Sequence, residues 1–378
     1  YSNSYTIFNI LSSMTNKEKS ELQKQVIDST EPGQSGRWLL APRSGKTKTV
    51  IDLIKRDKPK SILWVTPSVK LAEEDIPLEF ETWKAKKFLK NLTTVTWMSL
   101  HKIEGHFDLI ILDEEQFITE NNYIGLFLKK LTYEVLISMT GTPSKHEHKL
   151  QLYKNLQLKV IFKLSINSAV DIGLLSNYTI KVVEVPLGLV KNVQAGNKYK
   201  RFMTTEKAQY DYLTKVLAQA IDRGGKDIKF KILNRMRAIK NSPSKLESTK
   251  CLLNTLTGRV LIFCGSIKQA EDLCVNTYHS KTNNEDLKAF QNGDLNRISM
   301  VNSGGTGFTY KELDHLVVVQ ADSDKNGLTS QKISRTLLKQ EAYGATVWII
   351  CLLGTQDEKW VKSTLSSFDK NKVEYVKF

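Results

Sequence analysis

Two short runs carry the residue types that reactive chemistry needs: Ser44-Gly45-Lys46-Thr47 and Asp113-Glu114-Glu115-Gln116. The first suits a triphosphate. A glycine lets backbone N–H groups come close to an anion. A lysine beside it reaches the outer phosphates, and the next hydroxyl is placed to hold Mg²⁺. Arg43, Ser44, Gly45, Lys46, Thr47 and Lys48 therefore form the candidate nucleotide-binding set. The usual loop of this kind has a further glycine five residues before its Gly-Lys pair, where this chain has Leu40. In the second run, Asp113 suits Mg²⁺ together with Thr47. Glu114 suits the orientation and deprotonation of an attacking water.

These residues need elements that present them. The apolar run Trp38 to Ala41 enters the first turn, and an amphipathic stretch to Ile54 leaves it, which predicts strand, loop and helix. Phe107 to Leu112 runs straight into Asp113, and the carboxyl ends of strands are where open α/β sheets bind ligands. Strand patterns at 61–66, 92–97 and 135–140 end at Pro67-Ser68, near Ser99, and at Thr140-Gly141-Thr142. Strands alternating with helical stretches predict a parallel sheet covered by helices.

A helix over 17–26 precedes the loop. Its Gln25 is suitably spaced to read an adenine edge, though glutamine is equally at home on a helix surface. Residues 165–190 read as a crossing between two domains, 1–174 and 175–378. A basic helical segment over 187–250 opens the second, with helices at 205–221 and 227–240. Strands at 259–264, 297–302, 316–320 and 347–353 then repeat the strand–helix alternation, with helices at 268–275, 283–292 and 328–339. Lys145-His146-Glu147-His148 reads as a solvated loop, not a metal site.

The chain has 378 residues, enough for two domains. Lys and Arg number 55 against 40 Asp and Glu, a net charge of +15. Residues 191–250 hold 15 basic against 5 acidic residues, which points to a polyanion partner. Arg235, Arg237 and Lys240 head that stripe. No apolar run is long enough to cross a membrane. The chain begins at Tyr1, as a processed or truncated chain would, and lacks the charged-then-apolar order of a secretion signal. Four cysteines without metal-like spacing fit a reduced, cytoplasmic protein.

In order, these pieces resemble the superfamily 2 helicases and translocases, from about residue 20 to 368. Ala41 to Thr47 is similar to motif I, Val65 to Ala72 to motif Ia, Asp113 to Gln116 to the DEAD/DEAH-type box, and Thr140 to Thr142 to motif III. Leu261 to Ser266, Asn302 to Gly307 and Gln331 to Arg335 resemble motifs IV, V and VI. The Arg-Ser-Gly-Lys-Thr loop, the Asp-Glu-Glu-Gln box and the tail Gly354 to Lys359 look most like bacteriophage or large-virus DNA helicases.

The resemblance implies two tandem RecA-like α/β domains with ATP and Mg²⁺ in the cleft between them. Lys46, Asp113, Glu114, Gln116, Gln331 and Arg335 would be the catalytic set, with Gly305 and Gly307 joining the nucleotide contacts from the second domain. Pro67, Ser68, Ser99 and Ser266 would contact a nucleic-acid backbone beside Arg235, Arg237 and Lys240. The expected protein is a monomeric motor on DNA in the cytoplasm, that of the host if it is phage-encoded, beside replication or recombination proteins. An RNA-dependent ATPase or a non-motor binder on the same fold are the alternatives. One departure bears on turnover: motif VI usually has a second Arg three residues after the first, where Leu338 stands, which leaves the finger role to Arg335 or leaves hydrolysis weak.

Overall fold

The structure is a computed structural model, and it describes residues 14–123, 131–196, 199–301, 313–321, 328–336 and 344–377. The backbone divides into two compact units. The first runs to Leu175 and takes in the described part of Lys325–Ser334; the second starts at Ser176 and takes in Arg335–Phe378.

The first unit holds β1 (Gly36–Leu40), β2 (Ile62–Thr66), β3 (Leu92–Thr96), β4 (Gly105–Asp113), β5 (Leu131–Thr140) and β6 (Val160–Leu164). They form one parallel sheet in the order β3-β2-β4-β5-β1-β6. All five residues of β2, Ile-Leu-Trp-Val-Thr, are buried, as expected of a parallel strand covered on both faces. Leu63, Val65, Ile110, Leu112 and Leu136 share a core with Trp97, Leu152 and Tyr153. The helix Asn16–Asp28 starts with a capping box in which Thr15 and Glu18 satisfy each other's backbone N–H groups.

The second unit holds β7 (Tyr178–Val185), β8 (Lys191–Gly196), β9 (Arg201–Thr205), β10 (Val260–Cys264), β11 (Thr277–Tyr278), β12 (Arg297–Val301), β13 (His315–Val318), β14 (Ala345–Leu352) and β15 (Val373–Lys377). Seven of them form a parallel sheet in the order β11-β12-β10-β13-β14-β7-β15. The buried pair Lys245–Asp357, 2.6 Å apart, ties the helix Pro243–Thr255 to the first turn of the helix Gln356–Leu365, which follows β14.

The segment expected to be helical from 187 begins differently. β8 and β9 pair antiparallel as a hairpin, and the helices Glu206–Asp222 and Ile228–Lys240 follow it. Gly196 lies at φ +105, and a Cβ there would sit 2.0 Å from Lys200 O. That glycine lets the chain turn back where a helix was expected. Charge hid the strands, because basic residues suit exposed strands as well as helices. The helix Pro243–Thr255 and strands β6 and β15 also lie outside the expected set.

Among the described residues no helix is long and apolar enough to cross a membrane.

Candidate active site

β1 delivers the chain into the turn that precedes the helix Lys46–Asp57. Arg43 and Gly45 both adopt the left-handed conformation, at φ 72 and φ 82. Gly45 caps the helix without a side chain, so the first-turn N–H groups have no side-chain cap. A helix start of this kind favours an anion. Ser44 Oγ is buried without a hydrogen-bond partner. Thr47 Oγ1 makes no hydrogen bond among the described residues. Lys48 is engaged with Asp52 at 2.7 Å. The unpaired hydroxyls and the uncapped helix start fit a phosphate-bound metal.

β4 ends at Asp113, whose backbone carbonyl accepts from Trp97 Nε1 at 2.9 Å. Glu114 then takes a left-handed conformation, φ 51 and ψ 61. That conformation is costly for a residue with a side chain, and it turns the carboxylate back toward the phosphate loop. Lys46 Nζ donates to Glu114 Oε1 at 2.8 Å, and Gln331 Nε2 donates to the same oxygen at 2.9 Å. Gln116 Nε2 donates to Glu114 Oε2 at 2.9 Å. Thr140 Oγ1 has one proton and gives it to Gln116 Oε1 at 2.7 Å, while it accepts from Thr142 N–H at 3.0 Å. One chain of bonds thus joins the ends of β1, β4 and β5 and the helix Leu328–Thr336. A Cβ on Gly141 would lie 3.0 Å from Leu40 O and 3.1 Å from Pro42 Cδ, so a larger residue there would press β5 away from this turn by a few tenths of an ångström.

Three supports of this turn escaped the sequence reading. Arg37 in β1 forks onto the fully buried Glu115 carboxylate, which also accepts from Ser138 Oγ at 2.5 Å. The Arg37 guanidinium lies 4.2 Å over the Tyr153 ring. From the helix Glu147–Asn155, Tyr153 OH donates to Glu115 O at 3.0 Å and Lys149 Nζ donates to Gln116 O. Burial, then the adjacent Glu115, holds the Tyr153 phenol well above its ordinary range, so it stays a donor. Burial also lowers the Lys149 ammonium.

The glutamine that touches the loop is Gln23, two residues before the Gln25 expected to read an adenine edge. Gln25 is exposed, while Gln23, 3% exposed, donates from Nε2 to Ser44 O at 2.9 Å. Two residues on a helix are about 200° apart, so only one of the pair can face the loop. The clue was the buried stripe Leu22, Gln23, Val26, in which a polar residue takes a core position. Lys19 also lies on the loop, its Cε 3.5 Å from where a Gly45 Cβ would be. Burial, then repulsion from Arg43, lowers its ammonium below the ordinary lysine range; Glu79 opposes this and Lys48 adds to it.

Pro67 and Ser68 follow β2, and Ser99 follows β3. The two strand ends adjoin, with Trp97 N donating to Thr66 O at 3.0 Å. Ser68 Oγ accepts from Leu71 N–H at 3.3 Å. In the second unit, Ser266 caps the helix Ile267–Leu273 after β10. Lys240 lies beside it: its backbone carbonyl accepts from Gln269 Nε2 at 3.1 Å, and its Cδ is 3.4 Å from where a Gly265 Cβ would be. Arg235 and Arg237 are on the same helix as Lys240, half-buried and exposed respectively. Gly305, Gly307 and Leu338 lie outside the described residues, as does the side chain of Arg335. Gln331 lies in the compact unit that also holds Glu114, to which its amide donates.

No family model matches the sequence, and no curated protein sequence matches it. Solved structures do resemble it. The ATP-dependent Type ISP restriction-modification enzyme LlaBIII bound to DNA aligns over 97% of this chain at 13% identity, with a TM-score of 0.59. This chain spans 31% of that enzyme. The Pyrococcus furiosus Hef helicase domain aligns over 92% of this chain and 97% of its own length, at 14% identity and a TM-score of 0.50. S. cerevisiae Dbp5 bound to RNA and ADP BeF3 aligns over 94% of this chain and 89% of its own length, at 12% identity and a TM-score of 0.53. At such identities the likeness speaks for the fold: two parallel-sheet α/β domains of the RecA-like helicase kind.

Proposed function

We propose that the chain is an ATP-dependent helicase or translocase acting on DNA, of the kind its phosphate loop and Asp-Glu-Glu-Gln box resemble in bacteriophages. The observation that carries this reading is the 2.8 Å contact between Lys46 Nζ and Glu114 Oε1, inside a network that also takes in Gln116, Thr140 and Gln331.

Gly45, Ser44, Lys46 and the neighbouring Arg43 and Lys48 would hold the phosphates, and Thr47 with Asp113 would hold Mg²⁺. When bound, the metal-triphosphate supplies an activated phosphoryl group. With phosphates present, Lys46 turns from Glu114 to them, since an ammonium prefers the denser charge. Glu114 Oε1 then has Gln331 as its remaining donor and is free to accept a proton from water, while Gln116 keeps Oε2 oriented. Thr140 and Thr142 relay the state of that carboxylate to the end of β5. Arg335 is the candidate finger for charge on the transferred group. Turnover would be coupled to movement along a phosphate backbone held by Pro67, Ser68, Ser99 and Ser266, with Arg235, Arg237 and Lys240 adding affinity.

A steady-state ATPase assay with and without single-stranded DNA tests the reading. DNA-stimulated turnover is the expected result. Stimulation by RNA alone would move the substrate to RNA, and no turnover under either condition would make the chain a binder on a motor fold.

A further inference from the structure

The second unit contains a pocket of about 350 Å³ that the ATP chemistry does not use. It lies where the β8–β9 hairpin, the helices Glu206–Asp222 and Ile228–Lys240 and the turn before Pro243 meet. Its volume is within the range of small-ligand sites, roughly 300–1,000 Å³. Apolar walls come from Leu187, Val193, Leu213 and Leu352. Four amide-bearing residues, Gln194, Gln209, Asn234 and Asn241, are also in the lining, Gln194 and Asn241 at its exposed side. Each amide carries both a donor and an acceptor, the complement of a nucleobase edge.

The charge around the pocket suits a polyanion. Arg237 lines it. No Asp or Glu occurs from Val185 to Thr205, a stretch that holds Lys191, Lys200 and Arg201. The one carboxylate in the lining, Glu206, is engaged by three donors: Gly188 N–H at 2.8 Å, Ser242 Oγ at 3.1 Å and Ser244 N–H at 2.7 Å. On the hairpin the order is Tyr199-Lys200-Arg201-Phe202, with Tyr199 85% and Phe202 53% exposed. Exposed rings interleaved with cations suit unpaired bases, which stack on the rings while the cations take the phosphates. A duplex hides those faces and edges.

We propose that the hairpin and this pocket form one binding site for single-stranded DNA, with a base seated in the pocket and neighbouring bases on Tyr199 and Phe202. The proposal rests on the DNA reading above, and it adds a site apart from the strand-end serines.

The test compares oligo(dT) with an abasic deoxyribose-phosphate strand of equal length, which has the same charge and no bases. Fluorescence anisotropy should give wild type a preference for oligo(dT) on the order of tenfold. Ala238→Phe fills the pocket and Tyr199→Ala with Phe202→Ala removes the rings, and neither changes a charge. With circular dichroism confirming that both fold, each should lose most of the preference and keep the wild-type salt dependence. The inference is overturned if either variant keeps the full preference, or if wild type binds both strands equally. Tighter binding of oligo(rU) than of oligo(dT) overturns the commitment to DNA. Binding of wild type to neither strand overturns the DNA reading itself, and this inference with it.

Discussion

Lys46 Nζ sits 2.8 Å from Glu114 Oε1, so the cation of the candidate phosphate loop and the candidate base just after β4 hold each other across the ends of two strands. Both side chains are largely buried, at 16% and 8% exposure, so salt screens the contact less than it would a surface ion pair. On the reading proposed above, it would keep Glu114 occupied until phosphates drew Lys46 away. Lys46→Ala should abolish ATP turnover and leave the fold intact by circular dichroism. Normal turnover in the folded variant would put the active site elsewhere.

The two acids of the box should fail in different ways. Glu114→Gln keeps the hydrogen-bonding shape and loses the base. It should bind ATP with near-normal affinity and hydrolyse it at least ~10²-fold more slowly. Asp113→Ala should instead lose Mg²⁺-dependent nucleotide binding. Binding measured with and without Mg²⁺ separates them, and one shared defect would defeat this division of roles.

Gln331 donates to the same Glu114 oxygen as Lys46. Gln331→Leu should slow turnover with little change in ATP affinity, because the base loses its second donor. Arg335→Ala should cost much of the rate as well, since the residue three positions on is Leu338 and not a second arginine. Leu338→Arg should be neutral or activating. Wild-type turnover in Arg335→Ala would point to a finger from another residue or from a partner.

Arg37 and Glu115 form a buried pair beneath the turn that follows β4. Removing one member leaves an uncompensated charge, which costs about 3–5 kcal/mol. Chemical denaturation of Arg37→Met should show a loss of that order. Arg37→Met with Glu115→Gln should recover part of it. A double variant no more stable than the single one would mean that the pair's charge balance is not what holds the turn.

The strand ends were legible because parallel strands announce themselves as apolar runs, and polar residues just after such runs are the ones that can meet a ligand. Asp113 and Thr140 do end β4 and β5, and the Ser44–Thr47 turn does follow β1. The supports were harder, because they depend on which residues meet across the sheet. Arg37 is one strand removed from β4 in the sheet order and 78 positions from Glu115 in sequence. The signal was there in retrospect: an arginine inside a central strand needs a buried acid, and Glu115 was the acid with no assigned task. Gln23 is the harder glutamine to see from sequence, because only the helix phase set by its buried neighbours Leu22 and Val26 turns it toward the loop. The β8–β9 hairpin was lost because a basic stretch was read by its charge and not by its turn.

The last prediction concerns the helix Ile228–Lys240. Arg235, Arg237 and Lys240 share it, and Lys240 packs beside Gly265 at the end of β10, next to Ser266. That brings a basic helix to a strand end expected to contact a phosphate backbone. A solvated helix whose charges serve only solubility would show none of the following behaviour. Each phosphate neutralised releases counterions and adds roughly 0.7 to 0.9 to the slope of log affinity against log salt. Replacing all three residues with Gln should weaken DNA binding for every sequence and flatten that slope by about 2, with basal ATPase little changed. Arg237 also lines the base pocket, so the triple variant should lose some base preference along with its salt dependence. Binding and slope both equal to wild type would make this helix a solvated surface. The path would then have to be sought along Lys84, Lys86, Lys87 and Lys90 of the first unit, where Lys86 already pairs with Glu81 at 2.8 Å.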